Sequence, residues 1–137
     1  MYEDLRDYIA QVERLGFLRR VDGADPKFEL GGITEVAANL PACPALLFDN
    51  IKGFPRGFRV FTNVTTSPQR AALALGIDPA LRPLDALKLW KDKRQTLKWH
   101  AAAPVKDALF LENVQRGADV DLNKFPIPYW HEKDGGP

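Results

Sequence analysis

Apolar residues recur at Leu5, Tyr8, Ile9, Val12 and Leu15, the three-and-four spacing of a helix with one buried face. Glu3 and Asp4 suit its positive end and Arg14 its negative end, and Gly16 supplies a stop. Phe17 to Val21, with Arg19 and Arg20 between apolar flanks, predicts a short edge strand. Asp25-Pro26 has the form of a helix opening, Asp25 as cap and Pro26 at the first position. Leu30, Ile33, Val36, Ala37 and Leu40 continue a helical stripe, but Gly31 and Gly32 each cost about 1 kcal/mol against alanine there, so regular helix is expected only after them. Pro41 and Pro44 close the segment in a turn around Cys43.

The run Ala45-Leu46-Leu47-Phe48 is apolar on consecutive residues, the pattern of a strand covered on both faces. A loop over Gly53 to Gly57 leads to a second strand predicted over Phe58 to Thr65, rich in β-branched residues. Ser67-Pro68 repeats the cap-then-proline signature, and Ala71, Ala72, Leu73 and Leu75 run to a stop at Gly76. Leu84, Leu87, Trp90 and Leu97 mark the apolar face of a longer helix. Ala108 to Leu111 predicts another buried strand within Asp107 to Val114, followed by a turn at Gly117-Ala118-Asp119, and the chain is irregular after Phe125. Strands alternating with helices give an α/β class, in detail an α+β layer structure. Its small mixed sheet holds the strands near 46, 60 and 110 and is covered by helices.

The length of 137 residues suits one core rather than two. With 19 basic against 18 acidic residues the net charge is +1, so there is no overall field to recruit nucleic acid or an anionic membrane. One cysteine permits no intrachain disulfide and fits a reducing compartment. The acidic opening Met1 to Asp7 does not resemble a secretory signal, and no window has the ~20 apolar residues of a membrane span, so a cytoplasmic protein is expected. Asn63-Val64-Thr65 matches a glycosylation acceptor but is read as an ordinary strand triplet.

His100, His131 and Cys43 are too far apart in sequence to read as a metal site or a Cys-His pair. Cys43 is expected as a small buried filler and His100 as a cap on the long helix. Lys88, Lys91, Lys93, Arg94 and Lys98, interleaved with Trp90 and Trp99, have the composition of a single-strand nucleic-acid grip, but Trp90 falls on the apolar stripe, which favours a solvated face with a buried tryptophan. Glu112, Asp119 and Asp121 suit a polar turn rather than an acid and base pair. No nucleotide-binding glycine motif follows Gly31-Gly32.

Several segments, in order, resemble the beginning of UbiD-family decarboxylases. They are Asp4 to Ile9 running into Leu15-Gly16-Phe17-Leu18-Arg19-Arg20-Val21, Asp25-Pro26 with Glu29, and the apolar strand of Pro44 to Gly53 ending in Asn50-Ile51-Lys52-Gly53. Arg70 to Gly76 and Val120-Asp121-Leu122-Asn123-Lys124-Phe125-Pro126-Ile127-Pro128 complete the set. Trp130 to Pro137 is similar to the threshold of the family's flavin-binding domain. The resemblance implies residues 1–125 as an amino-terminal domain and 126–137 as a linker, together about the first quarter of a longer protein. It implies a carboxy-lyase that reversibly decarboxylates an aromatic or α,β-unsaturated acid. The cofactor would be prenylated FMN with Mn2+ and K+, supplied by a flavin prenyltransferase, in a homo-oligomer. None of the family's cofactor, metal or catalytic motifs matches a position here, so catalytic, cofactor-binding and metal residues are all expected elsewhere. The alternative is a non-catalytic assembly or interaction module of the same fold.

Overall fold

The structure is a computed structural model that describes residues 2–134. Asp4 caps α1 (Leu5–Arg14) by accepting from the Asp7 N–H at 2.9 Å. Gly16, at φ 77°, turns the chain out of the helix, and the Phe17 N–H closes the end on the Val12 carbonyl. β1 (Leu18–Asp22) follows, then α2 (Glu29–Ala38), β2 (Ala45–Asp49) and β3 (Val60–Thr62). α3 (Pro68–Ala74) and α4 (Pro83–Thr96) come next, and then three single 3-10 turns at Leu109–Leu111, Gly117–Asp119 and Leu122–Lys124.

The sheet order is β1-β2-β3, parallel between the first pair (Leu18 opposite Ala45) and antiparallel between the second (Leu47 opposite Phe61). It is the expected small mixed sheet, with β2 central and β1 at the edge. Alternation along β2 builds the two layers. Ala45 and Leu47 face Tyr8 and Val12 of α1 and Leu73 of α3, whereas Leu46 and Phe48 face Leu30 and Ala37 of α2. All four of these β2 side chains are buried, each large one contributing about 1.5–3 kcal/mol. Thr34 and Thr62 share a buried hydroxyl hydrogen bond at 3.0 Å that ties α2 to β3.

Four expectations need correction. The run Ala108 to Leu111 is a 3-10 turn with Leu109 91 % exposed, and no strand beyond β1, β2 and β3 is paired among the described residues. The strand over Phe58 to Thr65 shortens to Val60–Thr62, since Asn63 adopts a left-handed φ of 53° and breaks the ladder. α2 starts at Glu29 and includes both glycines. Asp25 does not cap it: its carboxylate accepts from the Lys27 N–H and pairs with Lys52, and the position before the helix is Phe28 at φ 72°. In α4 the buried residue is Ala86, which meets Ala72 and Ile77, while Leu84, Leu87 and Leu97 are exposed and Trp90 is half-buried.

Candidate functional site

The interior polar centre is built from the start of α3. Ser67 accepts from the Arg70 N–H at 3.3 Å with Pro68 at the first position, which fixes the register of a short helix. That register puts Arg70 on the sheet side with Leu73 and encloses its guanidinium completely, at 0 % exposure. A buried cation carries a desolvation cost of several kcal/mol unless its donors are used. Nη2 and Nε donate to the Asn63 carbonyl at 2.9 and 3.1 Å, and Nη2 lies 3.8 Å from Cys43 Sγ. Nη1 has no hydrogen-bond partner among the described residues.

The left-handed turn at Asn63 is what aims that carbonyl inward, and asparagine tolerates the conformation better than most residues. The Asn63 amide donates to the carbonyls of Thr34 and Pro44 at 3.1 and 3.4 Å. Tyr8 shares its hydroxyl proton between the carbonyls of Val64 at 3.0 Å and Arg70 at 3.2 Å. Burial pushes the Tyr8 phenol above its ordinary value, partly opposed by the Arg70 charge. One arginine and one asparagine thereby tie α1, α2, α3, the Pro41 to Pro44 turn and the end of β3 together.

Three concavities surround this centre. One of about 540 Å³ lies over the α1 face and includes Asp4, Arg6, Arg59 and Phe61. One of about 820 Å³ is bounded by Phe17, Cys43, Thr66 and Gln69. The third, about 510 Å³ and almost wholly apolar, runs beside α2 along Ile33, Val36, Leu40 and Leu46. None of the three is lined by a histidine.

The residues with candidate chemistry are not brought together. Cys43 is half-buried rather than buried and sits at φ 35° in the turn after α2. His100 lies past the end of α4, whose cap position is Leu97, so it does not cap the helix. His131 lies in a turn where Asp134 accepts from the N–H groups of Trp130 and His131 at 2.6 and 3.2 Å. Among the described residues no three His, Cys, Asp or Glu side chains converge as a metal site. The basic stretch is divided as well. Lys93 donates to the Leu75 carbonyl at 2.6 Å and to Gly76 at 3.4 Å, at the negative end of α3. Trp99 stands 93 % exposed, whereas Trp90 is half-buried against Ala72, Ile77 and Ala86. Asp121 accepts from the Asn123 N–H at 3.0 Å, and Glu112 and Asp119 are exposed.

Sequence reasoning missed Arg70 and the seat of the last described segment. Arg70 follows Ser67 by three residues and precedes Leu73 by three, the one charge on a helix otherwise of proline, glutamine, alanine and leucine, and that spacing was the available signal. The seat lies at the start of α2. Lys27 forms an isolated parallel bridge with Tyr129, the Phe28 N–H donates to Tyr129 O at 3.2 Å, and the Tyr129 N–H donates to Pro26 O at 3.0 Å. The Phe28 and Tyr129 rings meet edge to face at 6.1 Å, and Phe125 meets Phe58 at the same separation.

With this geometry in hand, the family profile of the 3-octaprenyl-4-hydroxybenzoate carboxy-lyase N-terminal domain matches residues 9–89. Among solved structures the chain is similar to the vanillic acid decarboxylase of Sedimentibacter hydroxybenzoicus. The open form is 31 % identical with a TM-score of 0.78, over 96 % of this chain and 29 % of that one. The open form with a truncated ShVdcD is 32 % identical with a TM-score of 0.65, over 71 % and 21 %. The closed form is 36 % identical with a TM-score of 0.59, over 64 % and 18 %. The chain therefore spans less than a third of the length of these relatives.

Proposed function

Because the chain belongs to the UbiD family, as a 3-octaprenyl-4-hydroxybenzoate carboxy-lyase amino-terminal domain, we propose that it is the amino-terminal part of a carboxy-lyase. The reaction is the reversible decarboxylation of an aromatic or α,β-unsaturated acid. The observation that carries this is the match over residues 9–89, supported by structural similarity to a decarboxylase over 96 % of the chain.

Loss of carbon dioxide from an unsaturated carbon leaves an unstabilised carbanion, and prenylated FMN, held with Mn2+ and K+, supplies the electron sink. The residues described here do not fit the task of holding those groups. They contain no converging ligand set for a metal, and the one wholly enclosed cation, Arg70, directs Nε and Nη2 inward to the Asn63 carbonyl. In the proposed enzyme this segment is a rigid platform, and the chemistry belongs to residues outside it. The whole protein acts in the cytoplasm as a homo-oligomer that depends on a flavin prenyltransferase. No helix among the described residues is long and apolar enough to cross a membrane.

The test is to determine the intact mass of the natural protein, coexpress it with a flavin prenyltransferase, and measure bound flavin and carbon dioxide release from a panel of aromatic and acrylic acids. A chain several times longer that carries flavin and releases carbon dioxide is expected. A natural chain ending near Pro137 that binds no flavin would overturn the proposal and leave the assembly module.

A further inference from the structure

The two adjacent glycines of α2 differ in what surrounds them. A Cβ placed on Gly31 would lie 2.7 Å from the Trp130 carbonyl oxygen and 2.8 Å from the Trp130 Cα, whereas one on Gly32 would meet nothing within 4 Å. Both obstructing atoms are backbone, so no rotamer change relieves the clash; the chain at Trp130 would have to move. Neither glycine has a positive φ, so the need for glycine at 31 is one of space alone.

The contact continues along the neighbouring residues. Tyr129 exchanges backbone hydrogen bonds with Pro26 and Phe28, Pro126 is buried, and Trp130 begins the turn closed by Asp134. Between Leu87 and Phe125, by contrast, no side chain is buried. After α4 the chain is thus fastened back to the body mainly by the strap from Phe125 to Trp130, and the strap is seated on Gly31.

We propose that Gly31 is a positioning residue. It lets the strap dock against α2, and the docked strap sets the direction in which the chain leaves this domain toward the reacting part of the protein. This rests on the carboxy-lyase reading for its functional consequence, but the seat itself does not.

The experiment compares Gly31→Ala with Gly32→Ala in the full-length protein. Both substitutions remove the same helix penalty, and only one fills the seat. Amide hydrogen exchange at Phe28 and Tyr129 reports the strap, exchange at Leu47 reports the sheet, and kcat and KM report the reaction. Gly31→Ala is expected to speed exchange at Tyr129 at least tenfold with Leu47 still protected. It should also lower kcat at least tenfold, with KM within a factor of two and flavin content unchanged. Gly32→Ala is expected to match the parent in all of these. If Gly31→Ala also deprotects Leu47, Tyr129→Pro takes its place, since it removes the strap's donor to Pro26 and its ring contact with Phe28 while leaving the α2 residues unchanged, and exchange at Phe28 then reports the strap. Equal Tyr129 exchange in the two alanine variants overturns the seat, and a released strap with unchanged kcat overturns the positioning role. A parent protein that shows the exchange contrast but no turnover upholds the seat and refutes the carboxy-lyase reading instead.

Discussion

Replacing Arg70 with alanine removes a side chain with no exposed surface and leaves the Asn63 carbonyl without its two donors. A buried carbonyl stripped of its partner costs about 1–3 kcal/mol. The space left by a large buried side chain adds about 2–5 kcal/mol, as in large-to-alanine core substitutions. Against these stands relief from holding an ion out of water with one terminal nitrogen unpartnered, worth several kcal/mol in the opposite direction. The expected net loss is about 2–4 kcal/mol, read as a lower urea midpoint with little change in slope. Arg70→Met separates the contributions, because it fills most of the space and relieves the charge but still orphans the carbonyl. It is expected to cost less than the alanine variant, about 0–2 kcal/mol. Because both variants lose the guanidinium and its hydrogen bonds, a methionine variant less stable than the alanine variant would show that the vacated space does not carry the alanine cost. An alanine variant within about 0.5 kcal/mol of the parent, the range of an ordinary surface change, would refute the central role given to Arg70.

Ser67→Ala removes the side-chain acceptor at the start of α3 and should lower stability by about 0.5–2 kcal/mol in the same titration, with Ser67→Gly costing less. Tyr8→Phe loses the hydroxyl shared between Val64 and Arg70 and should cost about 1 kcal/mol at neutral pH. Burial raises the Tyr8 phenol's affinity for its proton in the folded state. Its contribution is therefore present below the unfolded value near 10 and lost as pH rises through the higher folded value, and thermal melts of the phenylalanine variant should show a weaker alkaline decline. Asp4 is held below the usual carboxylate range chiefly by the Asp7 N–H, Asp25 by the Lys27 N–H and then Lys52, and Glu13 by Arg20. Their stabilisation is present above the unfolded values of 3.8 for aspartate and 4.5 for glutamate and fades as pH falls through the lower folded values. Melting temperatures should drop from about pH 4.5 downward, and an Asp25→Asn variant should show a shallower drop.

Much of the fold was legible where local and tertiary demands agree. The apolar run at Ala45 to Phe48 is the central strand because both faces are covered, and the cap and stop signals at Ser67, Gly16 and Gly76 act within a single turn. Legibility failed where a partner distant in sequence decides. Phe28, and not Asp25, precedes α2 because Tyr129 draws residues 26 to 28 into a bridge. Gly31 stays in a helix that disfavours it because Trp130 needs the space. Ala108 to Leu111 has the composition of a strand but pairs with neither open edge of the sheet, and Leu109, Phe110 and Leu111 stay exposed, so no tertiary contact backs the local preference. The expectation that catalytic residues lie elsewhere came only from setting the chain beside a family, since periodicity carries no information about chemistry.

β1 has a further consequence for how copies of this protein behave in a crowded solution. It pairs only with β2, so its outer edge is a template on which another strand can add. An antiparallel approach of a second copy centred on Arg20 would set arginine against arginine and leave Arg19 unneutralised beside Val21, and like charges directly opposite are unfavourable. Arg20 is also held by Glu13 at 2.8 Å, which keeps its charge against the body of the protein and close to the edge. The same two arginines that mark this strand as an edge thus act as gatekeepers, keeping the sheet from growing through copies of itself.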